Sequence, residues 1–205
     1  MDGTQGFVGG AGRAAIAGGV LGLGSLVTVL AGEITAGKDF MGTPAAQLAG
    51  WASFVASALL VVGLMGVGAR FSRVLGGAGR GALLVLGFAT AITVGAASTL
   101  ALVVPTLVDH APELVNDPPA AVPPTFIFSG LAMGICAIVL AVDLRRSGAV
   151  RGGATTFLTV AAVLAMVPLP SRFCLLSLAL GVLLLAAPSA ATVEASPTDR
   201  ALSAR

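Results

Sequence analysis

From Ala82 to Val104 the chain carries no charged side chain, and Pro105 closes the stretch. No other feature constrains the fold as tightly. About 20 apolar residues at a rise of about 1.5 Å cross a hydrocarbon core of about 30 Å. Within that core only helices and closed barrels satisfy their own backbone hydrogen bonds. Comparable runs lie at Ala14–Ala31, Leu48–Gly68 and Thr125–Val142, and shorter ones at Ala154–Val167 and Phe173–Ala187. A soluble bundle needs polar residues at helical period on every outer face, and these runs lack them. Only 10% of the residues are charged, against about 25% in soluble domains. The expected fold is therefore all-α, a polytopic transmembrane helical bundle of six spans over residues 14–187. A flexible segment, 1–13, precedes it and a flexible tail, 188–205, follows. The last two runs reach only about 20 to 25 Å, so the alternative is four spans plus a re-entrant C-terminal hairpin.

Arginines predict the threading. The loop Ala69–Gly81 carries Arg70, Arg73 and Arg80 and no acid, and a second basic loop carries Arg145, Arg146 and Arg151. Short basic loops stay in the cytoplasm. Under six spans all of the eleven Lys and Arg residues except Lys38 and Arg172 fall on that side. Both termini are then cytoplasmic in a cell membrane, and the Arg, Ala and Gly bias suits a bacterial genome of high GC content. Arg13 before the first run also fits a signal peptide, but the run's length and the spans after it favour an uncleaved helix.

Small residues predict the packing, because they let helix backbones approach in lipid. Gly18 with Gly22 and Gly130 with Gly134 form GxxxG pairs, and Ala49, Ser53 and Ser57 form a stripe. Gly87, Ala91 and Gly95 recur every four residues, which places the third helix at the centre of the bundle. Thr90, Thr93, Ser98 and Thr99 on that helix serve packing or, in the alternative, line a polar groove. Gly32–Gln47 reads as an external loop, with Trp51 at headgroup level just beyond it. Pro105–Pro124, with Asp109, His110, Glu113 and Asp117, is the longest loop and the candidate external recognition surface. Cys136 and Cys174 sit at depths differing by about 12 Å along their helices, too far apart to pair, and read as free thiols.

Chemistry is harder to find. No ionisable residue lies at membrane depth, where pumps and ion-coupled carriers place them. Asp143 beside Arg145 and Arg146 reads as an interfacial charge cluster. Asp109, His110 and Glu113 resemble a metal grouping, but zinc sites use more imidazole or thiolate and Pro112 interrupts the turn. His110 is the single histidine, and no nucleophile elbow is present. Gly76–Gly81, reading GGAGRG, lacks the preceding strand and the Lys-Ser/Thr of a phosphate loop. A net charge of +2 is too small for nucleic-acid binding. No catalytic residue, cofactor or metal is implied, and the expected partners are the lipid bilayer and this chain itself or another membrane protein.

The order GLMGVGARF, an Arg- and Gly-rich turn, VPTLVDHAPELV, SGLAMG, LRRSG and a PLP turn resembles a widespread group of bacterial multi-pass membrane proteins of about six spans with no assigned activity. The resemblance implies the six-helix fold and no residue roles. The expected function is a non-enzymatic one exercised through helix packing. A carrier or export accessory for a hydrophobic or weakly polar molecule is the alternative.

Overall fold

The computed structural model describes residues 2–111, 122–150, 152–167 and 171–186, the side chains of Asp2, Lys38, Asp109, Val122 and Pro123 excepted. Seven α-helices occupy these residues: α1 (Asp2–Ala36), α2 (Pro44–Phe71), α3 (Gly77–Leu102), the short α4 (Val104–His110), α5 (Val122–Arg146), α6 (Gly152–Ala165) and α7 (Cys174–Ala186). Helices over Gly3–Ala36, Pro44–Phe71, Gly77–Leu102 and Pro124–Arg146 are long and apolar enough to cross a membrane. Their outward surfaces carry Leu84, Phe88 and Phe128, each about 70% exposed or more within rounding (76%, 71% and 69%), a face suited to lipid as solvent. α6 and α7 are half that length, about 21 and 20 Å.

Each long helix packs on its chain neighbour, α3 packs on α5, and α7 returns to α1, so the bundle closes as a ring. α7 also touches α2 across the ring. Its Leu176, Leu180, Leu183 and Leu184 are at most 2% exposed, which makes this short helix the centre of the core. α1 and α7 run antiparallel: a methyl group on Gly22 would meet Cys174, and one on Gly12 would meet Leu184 and Leu185. Ser177 on α7 donates to the Ala15 carbonyl at 2.7 Å. Gly66 of α2 faces Ala11 and Leu184, so the start of α1 and the end of α7 lie at the same end as Phe71 and the first basic loop. The second basic loop is there too, since the Asp143 carboxylate accepts the N–H of Gly76, the residue just before α3, at 2.8 Å. That carboxylate, expected as part of an arginine cluster, acts across the two loops.

Several expectations change. The segment expected to be flexible over 1–13 is helical from Asp2, with Val8 and Ala11 buried; its glycines lower helix propensity, but contacts with α2 and α7 outweigh that. The loop expected at Gly32–Gln47 is mostly helical. α1 continues to Ala36, a 3-10 turn follows over Gly37–Gly42, and the Thr43 hydroxyl caps α2 by accepting the Ala46 N–H, with Pro44 in the first turn. Phe40 folds inward to 3% exposure against Gly32. α3 lies at the edge of the ring, touching α2, α4 and α5. Methyl groups on Gly87 and Gly95 would meet nothing within 4 Å, so that stripe does not mark the centre.

Candidate functional site

The short hairpin leaves a gap. Ser171, in the turn between α6 and α7, hydrogen-bonds Ser53 at 3.1 Å, and Ser53 stands about 27 Å along α2 from Phe71. Beyond that level α2 continues for about 13 Å more to Pro44, as do the outer parts of α1, α3 and α5. The volume that α6 and α7 do not fill is a cavity of about 330 Å³, at the lower end of the range for small-molecule sites. Val29 of α1, Ala97 and Leu100 of α3, Phe126 of α5 and the folded-in Phe40 form apolar walls, while the exposed Glu33, Met41 and Gln47 stand around its rim.

Polar groups gather on its floor. Ser171 donates to Ser25 at 3.2 Å, and Ser25 donates to the Ala49 carbonyl at 2.8 Å. Each hydroxyl has one proton to give, so Ser53 is the donor to Ser171. All three protons are thus committed within the protein, and the free lone pairs of these oxygens are what the chain of hydroxyls presents. Ser171 holds φ at 50°, the left-handed region that side chains rarely adopt. Such a conformation persists where its surroundings fix it, and here the two flanking serines do so.

Arg172 adds a charge. It lines the cavity and is 9% exposed. Its Nη2 donates to the Phe126 carbonyl and, at 2.8 Å, to the Ser129 hydroxyl, both neutral acceptors. A guanidinium keeps its proton at neutral pH. Gly130 makes the space: a methyl there would lie 2.6 Å from Arg172 Cζ and Nη1. Half of the second GxxxG pair therefore seats a side chain. Gly134 does pack helix on helix, its methyl falling 2.6 Å from the Ala162 carbonyl of α6. Gly18 likewise faces the Ala56 carbonyl of α2 at 2.9 Å and Gly22 faces Cys174.

Of the four hydroxyls read as a groove, only Thr93 lines the cavity. Thr90 is fully buried and donates to the Leu86 carbonyl, Thr93 donates to the Ala89 carbonyl, and Ser98 and Thr99 both donate to the Gly95 carbonyl. They do not share one face. His110 Nδ1 lies 3.0 Å from the Thr106 carbonyl on α4. Glu113 and Asp117 lie outside the described residues, as do the Asp109 side chain and Arg151. Among the described residues no three His, Cys, Asp or Glu side chains stand close enough to share a metal ion. Arg70 lies 5.8 Å from the ring centre of Phe71, and Arg80 Nε donates to the Leu75 carbonyl at 3.1 Å. Both cysteines are free.

Sequence reasoning assigned Arg172 to a turn and Ser25 to a span, and neither to a site. One signal was available: under the six-span threading Arg172 is one of two basic residues expected on the side opposite the basic loops. No known protein family, curated protein or solved structure matches the chain.

Proposed function

We propose that this chain is a multi-pass cell-membrane protein that holds a hydrophobic or weakly polar small molecule in the cavity at the end opposite its basic loops, as a carrier or export accessory. The observation that carries this reading is the cavity itself, about 330 Å³ with apolar walls and a hydrogen-bonding floor. Arg70, Arg73, Arg80, Arg145 and Arg146 support a threading with the basic end in the cytoplasm and the cavity facing outward. The half-length α6 and α7 favour four spans plus a hairpin entering from the basic end over six complete crossings. Ala97 is 3% exposed on the cavity wall, so Ala97→Leu fills the space. A thermal-shift screen of apolar and amphiphilic compounds on detergent-purified protein should find binders that A97L weakens at least tenfold. Binders indifferent to A97L, or none, would end this reading. Single cysteines at Ser72 and Thr43 should label from opposite faces of the membrane, and labelling from one face would overturn the threading.

A second reading, helix packing with itself or another membrane protein, is favoured by the open stripe on α3. Among the described residues, methyl groups on Gly87 and Gly95 would meet nothing within 4 Å, and Ala91 is exposed. Gly95→Leu should disperse an oligomer seen by cross-linking in native membrane; an unchanged pattern counts against this face.

A further inference from the structure

Resting on the proposed small-molecule site, we infer that the molecule held there is an amphiphile with an anionic headgroup, a carboxylate or phosphate, bound at Arg172 with its apolar tail along the α1–α3 wall of the cavity.

Three observations lead to this. First, a guanidinium buried to this degree is costly unless an opposite charge or several hydrogen bonds compensate it, and the acceptors it meets, the Phe126 carbonyl and the Ser129 hydroxyl, are neutral. Both take the same nitrogen, Nη2. A planar guanidinium offers five donors in a fork that fits carboxylate and phosphate oxygens. Second, the hydroxyl chain Ser53–Ser171–Ser25–Ala49 has spent its protons on itself. In that arrangement its oxygens accept, so the donors on the floor that suit an anion belong to Arg172. The same lone pairs suit a protonated oxygen or an amide N–H beside the anionic group. Third, the rest of the wall, with Val29, Ala97, Leu100 and Phe173, offers an alkyl tail a place out of water. Among the described residues Glu33 is the one carboxylate on the cavity lining. It is exposed at the rim, where solvent screens it, and it disfavours a second negative charge near the opening. The site therefore selects a headgroup with one deeply placed anion.

A simple staple role for Arg172, fastening the α6–α7 turn to α5, uses the same two hydrogen bonds, so the test must read charge selectivity and not stability alone. Full-length protein in a non-ionic detergent would be titrated with laurate, dodecyl phosphate, dodecanol, dodecyltrimethylammonium and inorganic phosphate, by calorimetry at pH 8. Laurate and dodecyl phosphate are expected to bind at least tenfold tighter than dodecanol, and dodecyltrimethylammonium more weakly still. Arg172→Gln should erase the difference between laurate and dodecanol, while Arg172→Lys retains part of it. Should R172Q fail to fold, the selectivity of the unaltered protein among equal-length tails still decides. Equal binding of anionic and neutral tails, all weakened by A97L, would overturn the anionic headgroup and leave the cavity reading standing. Inorganic phosphate binding as tightly as dodecyl phosphate would overturn the amphiphile and indicate a free-anion site. No binding by any probe would overturn both.

Discussion

α3 and α7 are opposites. α3 is 26 residues long, enough to cross a bilayer, and carries the Gly87, Ala91 and Gly95 repeat, yet it lies at the edge with Ala91 and Gly95 exposed. α7 is 13 residues long, half the length of α3, and is the most enclosed helix of the bundle. In water a long apolar helix would be driven inward by its hydrophobicity. In lipid that drive is absent, because the surrounding tails are as apolar as leucine, and helices associate through close packing and hydrogen bonds. α7 has both. Gly181 lets Gly12 and Ile16 of α1 come close, and Ser177 bonds the Ala15 carbonyl. α3 buries seven of its 26 residues, among them Leu86, Ala89 and Thr90.

The largest test of this contrast is a pair of truncations. Leu180→Ala, at a position with no exposure, should cost about 2 kcal/mol or more through the van der Waals contacts left unmade. Leu84→Ala, at 76% exposure, should stay within about 0.5 kcal/mol. Unfolding in mixed micelles measures both, and similar losses would erase the distinction.

Gly130→Ala comes next. Its methyl would overlap the Arg172 guanidinium, so a loss of about 1–3 kcal/mol from overpacking is expected, together with weaker binding in the cavity. Gly95→Ala on α3 meets open space and should be neutral or stabilising by up to about 1 kcal/mol, since alanine favours helix over glycine. A loss at Gly95 in a monomeric preparation would show that this face has a partner within the chain.

Asp143→Ala removes the acceptor of the Gly76 N–H and should cost about 1 kcal/mol, read as earlier proteolysis of the Ser72–Gly76 loop at unchanged cavity affinity. The smallest effect belongs to Ser53→Ala. It takes one donor from the hydroxyl chain, and single hydrogen bonds in membrane bundles average about 0.6 kcal/mol. Because Ser171 holds a left-handed conformation between Ser53 and Ser25, this variant should also broaden the resonances of a spin or fluorine label at the turn.

Sequence alone determined the class of element and its order. A charge-free run such as Ala82–Val104 has few ways to satisfy its backbone in lipid, so helix follows from composition and length. It also marked two basic loops, which the Asp143–Gly76 bond holds at one end of the bundle. Only the tertiary structure decided which small residues pack. Gly18, Gly87 and Gly130 are alike in sequence, yet one meets a neighbouring backbone, one meets nothing within 4 Å, and one makes room for Arg172. The cavity was likewise beyond sequence reading, because its lining comes from α1 to α5 and the α6–α7 turn, brought level by helix lengths that differ. Periodicity records which face of a helix is small or polar, whereas a site depends on what stands opposite that face, and in lipid hydrophobicity does not specify the partner.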